Sequence, residues 1–158
     1  MAEDPISSFQ ATSAGFLANQ MARLFAQALA EALAPLDLAP AQFMTLIVLW
    51  EEEGITQKDL VLKLDVEQAT MASTLSRMER DGLIIRRPHP EDNRAQLIYP
   101  TPQAKALREQ ALAEAHKVNA IALSDLSATE RECLITLMPR VIRALKKRRG
   151  RETSSTPR

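Results

Sequence analysis

Two groups of residues in this chain have the types and spacing to bind an anionic, hydrogen-bonding surface. The first lies over 67–81, where Ala69, Ser73, Ser76, Arg77 and Arg80 recur on one face of a predicted helix, with Thr70 at its edge and Gln68 near its start. Small side chains let a helix approach closely, hydroxyls bond phosphates or base edges, and an arginine grips guanine with two hydrogen bonds. The second lies in RRPHPEDNRAQLIY, residues 86–99, where Arg94 follows Asp92 by two positions and Arg86 and Arg87 stand at the base. Asp92 is placed to pair with Arg94 or to cap the turn, with Asn93 between them. An exposed pair of this kind contributes only about 0–1 kcal/mol, so stability alone does not account for it. Both groups fit recognition better than bond breaking. No Ser/His/Asp set, phosphate-binding glycine loop or paired carboxylates stands out, so no catalytic residue is expected. His89, His116 and Cys133 make no metal-binding pattern, and neither a metal nor a cofactor is expected.

The elements that must carry these residues are mostly helices. Apolar residues near 3.6-residue spacing predict a helix over 16–33, ended by Pro35. A second opens near Pro40 and stops at Gly54. Thr56 with Asp59 resembles a capping box and starts a short helix through Leu64. Asp65 with Gln68 repeats the cap pattern before the helix over 67–81, which Gly82 ends. Met71, Leu75 and Met78 form its buried stripe, expected to pack on Leu60 and Leu64. LIIRR and AQLIYP read as two strands joined by a polar tip. Helix resumes from Thr101 to about Leu123, and Ser127 with Glu130 caps a last helix to about Arg148. Three short helices followed by a hairpin is the order of a winged helix-turn-helix. The fold expected is mainly α, with the wing as its two-stranded exception.

Composition sets limits around this picture. The chain has 158 residues, 46% hydrophobic and 25% charged, which is ordinary for one globular domain with an extension. No apolar run reaches the roughly 18 residues that span a bilayer, and the start of the chain does not read as a secretory signal. With a lone cysteine, a reducing cytoplasmic setting is expected. Net charge is zero, so any case for nucleic acid rests on local placement. Between Thr56 and Pro100 seven basic residues face seven acidic ones. The C-terminal stretch RVIRALKKRRGR is the one clear asymmetry. It fits cations complementing a helix dipole ahead of a frayed tail, with a phosphate-contacting tail as the second reading.

From Thr56 to Lys105 the chain resembles the MarR (multiple antibiotic resistance regulator) family, through TQKDL, ATMASTLSRMERDGLIIR and PHPEDNRAQLIYPTPQAK. The wing, with its Asp-x-Arg pattern followed by strand, threonine and helix, is the most specific part. Three features depart from the family pattern: Asn93 replaces a usual basic residue, Pro100 and Pro102 flank Thr101 with Ala104 in place of glycine, and Ala72 replaces Thr or Ser.

The resemblance implies a homodimeric transcriptional regulator, a repressor in sign, that reads a pseudo-palindromic double-stranded DNA operator. It implies dimerisation helices at 1–36 and 101–149, a DNA-binding lobe at 37–100, and a disordered tail at 150–158. Gln68, Thr70, Ser73 and Arg77 would contact the major groove. Arg94 would enter the minor groove, oriented by Asp92, with Asn93 beside it in the DNA-binding wing and Arg86 and Arg87 at the wing base near phosphates. A small aromatic or phenolic effector would sit near Met21, Phe25, Phe43, Ile47 and Trp50, residues whose first reading is plain core. Cys133, beside Leu134 and Leu137, is expected to be a buried, inert thiol. The alternative is a winged-helix protein-interaction module that does not bind DNA.

Overall fold

The structure, a computed structural model, describes residues 5–154. Helices α1 (Pro5–Thr12) and α2 (Ala14–Leu33) lead into α3 (Pro40–Glu51), β1 (Ile55–Thr56), α4 (Gln57–Leu64) and α5 (Gln68–Arg80). Then come β2 (Ile84–Pro88), β3 (Gln96–Pro100), α6 (Pro102–Ala106), α7 (Arg108–Ala122) and α8 (Ala128–Ser154). The chain is mainly helical around a small antiparallel sheet of order β1-β3-β2, in which Ile55 faces Ile98 and Arg86 also faces Ile98 from the other edge. Two compact units form, one up to Val118 and the other from Asn119.

Local chemistry explains the boundaries. The Ser13 hydroxyl accepts from the Phe16 amide and starts α2 two residues before the apolar pattern does. At α4, Thr56 and Asp59 satisfy each other's backbone amides as a full capping box, and Ser127 with Glu130 does the same for α8. Asp65 does not cap the next helix. It closes α4 in the left-handed conformation at φ 53°, and α5 starts after Glu67 with no side-chain cap. A short Asp side chain tolerates that backbone better than most. The expected helix from Thr101 breaks at Leu107 into α6 and α7. At the other end, α8 continues to Ser154, past the expected stop near Arg148 and into the stretch expected to be disordered. Residues 155–158 of that stretch lie outside the described residues.

The core of the first unit is aliphatic. Leu33, Leu46, Leu49, Leu60, Leu75, Met78, Ile84 and Ile98 are fully buried. Met71, Leu75 and Met78 place the inner face of α5 against this core, and Leu64 packs at its margin, as the stripe predicts. β1 holds the start of α4 to the wing. Gly54, at φ +75°, donates its amide to the Ile98 carbonyl at 2.8 Å, and a Cβ there would lie 2.8 Å from the Tyr99 hydroxyl oxygen. Only glycine satisfies both conditions.

Candidate nucleic-acid interface

Helix α5 presents two faces. Met71, Thr74, Leu75 and Met78 point inward, and the Thr74 hydroxyl satisfies itself on the Thr70 carbonyl at 3.0 Å. Gln68, Ala69, Thr70, Ser73, Ser76, Arg77 and Arg80 are exposed, so the expected recognition face is free of large apolar groups. Its N-terminal end is pinned by Gln57, whose side-chain amide donates to the Gln68 side-chain oxygen at 3.2 Å. That bond leaves the Gln68 NH₂ as an outward donor.

The C-terminal end of α5 is held more firmly. The buried Gln42 accepts from the Ala39 amide at 3.0 Å and donates to Asp81 Oδ2 at 2.9 Å. The other Asp81 oxygen pairs with Arg80 at 3.0 Å. The Gln42 amide, and after it the Arg80 guanidinium, hold the Asp81 carboxyl below its ordinary range. One glutamine thus ties the first turn of α3 to the C-terminal cap of α5.

The wing divides its arginines among distinct tasks. Arg86 is tucked in, with 21% of its side chain exposed, and pairs with Glu79 of α5 at 3.2 Å. It braces the wing base against α5. The exposed Arg87 guanidinium lies over the Tyr99 ring, 5.2 Å from its centroid, in a cation–π contact. At the tip Asp92 caps the turn: its Oδ1 accepts from the Arg94 amide at 2.9 Å. His89 Nδ1 accepts from the amides of Glu91 at 3.1 Å and Asp92 at 3.2 Å, and the His89 amide donates to the Ala95 carbonyl. The Arg94 and Asn93 side chains are thereby left exposed on a turn whose backbone is fixed. An open cleft of about 580 Å³ lies between this wing and the start of α4, with Lys58, Arg86 and Arg94 in its walls.

His89, Glu79, Gln42 and Gln57 are missing from the sequence-derived set. Glu79 and Gln57, and Gln42 in its bond to Asp81, have partners on other elements, where no spacing rule operates. His89 bonds amides only two and three residues on, but histidine is not among the usual capping residues. Asp92 carried a legible signal, because aspartate is a usual turn residue and its partner is two residues away.

The five residues expected around an effector do not share one environment. Phe43 is buried and meets Trp50 edge to face at 6.1 Å, while Trp50 Nε1 donates to the Ala104 carbonyl at 3.1 Å. Ile47 and Phe25 are half-buried and Met21 is exposed. Cys133 is exposed, contrary to the expected buried thiol. Its apolar neighbours signalled a core, but the apolar residues of α8 are largely uncovered in the single chain. Among the described residues no group of three or more His, Cys, Asp or Glu side chains could hold a metal. No single helix there is long and apolar enough to cross a membrane.

Comparison with known proteins gives this geometry a context. The MarR family model matches residues 38–95. The uncharacterized HTH-type transcriptional regulator YwoH of Bacillus subtilis is 32% identical over 114 residues, 72% of this chain and 82% of that protein. The HTH-type transcriptional regulator MgrA of Staphylococcus aureus is 32% identical over 68% of this chain and 72% of its own length. The crystal structure of a mutant MarR from E. coli complexed with operator DNA is 27% identical, with a TM-score of 0.77 over 84% of this chain and 96% of that one. Across the curated relatives the matched region spans from 52% to 82% of their length. These relatives are regulators rather than enzymes. With its three-stranded winged lobe and these likenesses, the chain belongs to the MarR family of transcriptional regulators.

Proposed function

We propose that this protein binds a pseudo-palindromic DNA operator as a homodimer and represses transcription by occupying it. The observation that carries the reading is the outward face of α5. It is small, hydroxylated and basic, it is clamped at both ends by Gln57 and Gln42, and it is braced to a wing with an exposed Arg94 at the tip. Rigid presentation matters because side chains fixed before binding lose little entropy on contact. Gln68, Thr70, Ser73 and Arg77 would meet base edges and phosphates in the major groove, and Arg94 the minor groove. Arg87 and Asn93 flank the same surface, while Arg86 acts through Glu79 as a brace.

Homodimerisation is supported by apolar faces left uncovered in the single chain. On α8, Ile135, Met138, Ile142 and Leu145 follow a 3-4-3 spacing and are 40–60% exposed. On α1 and α2, Phe9, Phe16, Leu17 and Leu24 are exposed as well. Contiguous apolar faces of this kind mark surfaces that a partner covers. An aromatic effector bound near Ile47 and Trp50 would release DNA by favouring one separation of the two lobes over another.

The test is Arg94→Ala, measured by fluorescence anisotropy on a duplex recovered by selection. The change should weaken binding by roughly 10- to 100-fold, the worth of one good arginine contact, and leave the dimer intact. Unchanged affinity would favour a winged module that binds protein rather than DNA.

A further inference from the structure

The operator-binding lobe has no excess of positive charge to draw it to DNA, and the rest of the chain shows where that charge has gone. Residues 140–158 hold eight basic residues and one acidic, whereas residues 1–139 hold twelve basic and nineteen acidic. Long-range attraction to a duplex comes from cations that replace the counterions on its phosphates. A lobe with seven charges of each sign supplies little of it.

Helix α8 arranges part of this charge as a stripe. Arg140, Arg143 and Lys147 stand at i, i+3 and i+7, on one face over about 10 Å of helix. All three are exposed, and among the described residues none makes an ion pair or a side-chain hydrogen bond. The opposite face carries Ile135, Met138, Ile142 and Leu145. Covering the apolar face leaves the cationic one outermost.

Two simpler explanations fail. Cations at a helix C-terminus complement its dipole only within the last turn. With α8 running to Ser154, Arg140 and Arg143 lie three or more turns before its end. Intrahelical pairing is also absent, because no acidic residue lies three or four positions from any of the three. The stripe instead sets like charges beside one another, which costs a few tenths of a kcal/mol per pair unless an anion sits across it.

We propose that this stripe of α8 is a second duplex-DNA contact, one that binds phosphates without reading sequence. The inference rests on the reading of the protein as an operator-binding regulator. A lipid surface is the less favoured partner. Interfacial helices commonly carry Trp or Phe with Leu on their apolar face, and residues 128–154 contain no aromatic residue to anchor at a headgroup boundary.

The test compares the full-length protein with the triple variant Arg140→Gln, Arg143→Gln, Lys147→Gln on two fluorescent duplexes. One is an operator recovered by selection; the other is a scrambled duplex of the same length and composition. Loss of the stripe should lower affinity for both duplexes by the same factor and leave their ratio unchanged. It should also flatten the log-affinity against log-salt slope by about 0.9 for each phosphate contact removed. The charge-keeping variant Arg140→Lys, Arg143→Lys should retain the wild-type slope, which separates charge from misfolding. An unchanged slope in the triple variant overturns the proposal while operator preference stands. A wild-type protein with no preference for the selected duplex overturns the operator reading itself. Charge-dependent binding to phosphatidylserine vesicles, with DNA slopes unaltered, overturns the proposal in favour of a membrane.

Discussion

Single residues around the interface act mainly by fixing backbone, and two of them make direct predictions. The Asp59 carboxylate accepts from the Thr56 hydroxyl at 2.6 Å and from the Thr56 amide at 2.9 Å. The hydroxyl first, and then the amide, hold its pKa below the ordinary 3.8. A carboxyl depressed in the folded state stabilises the protein above its unfolded pKa, and that stability drains away as pH falls through the folded value. Asp59→Ala should therefore cost about 0.5–1.5 kcal/mol in urea unfolding at pH 7. The difference from wild type should shrink as pH is taken below 3.8. At Gly54 the left-handed backbone and the nearby Tyr99 hydroxyl act together. Gly54→Ala should lower stability by at least about 1 kcal/mol, whereas Gly15→Ala, with nothing within 4 Å of the new methyl, should be neutral or slightly stabilising in a thermal melt. The Thr56–Asp59 cap was legible because both partners lie within four residues. The His89 bonds to Glu91 and Asp92 were equally local but escaped notice, since histidine is not among the usual capping residues.

The helices and strands that carry the site were legible wherever a buried stripe or a glycine marked them. The Met71, Leu75 and Met78 stripe located α5 and its exposed face from periodicity alone. Leu75→Ala should cost about 2–5 kcal/mol in denaturant unfolding, because a fully buried leucine leaves a cavity between α5 and the core. Other elements depend on partners distant in the chain. β1 is two residues long and exists only through its pairing with β3. The break at Leu107 follows the short α6, which the Thr101 hydroxyl starts by accepting from the Ala104 amide while donating to the Gly82 carbonyl at 2.7 Å. Periodicity cannot report such a bond, because it anchors a helix start to a turn 19 residues earlier. Arg86 shows the same limit: its charge suggested phosphate, and its place in the sheet gave it Glu79.

The single chain leaves two features unmatched, its uncovered apolar faces and its neutral lobe. The proposed homodimer would cover the first through α1, α2 and α8. Ile142→Glu, which puts a charge in the middle of the α8 face, should shift the protein from dimer to monomer in sedimentation velocity. The exposed Cys133 on the same helix shows why residue type misled about burial: the α8 residues around it have the composition of a core but are uncovered in the single chain. A twofold dimer would hold its two α5 helices about 34–36 Å apart, one turn of duplex DNA. The most direct measurement is therefore selection of bound duplexes from a random pool by the purified protein. It should recover an inverted repeat whose half-site centres lie about 10 base pairs, or a multiple of that, apart. Recovery of no enriched sequence, or of a lone half-site without its inverted mate, would contradict a dimer that reads the operator with two copies of α5.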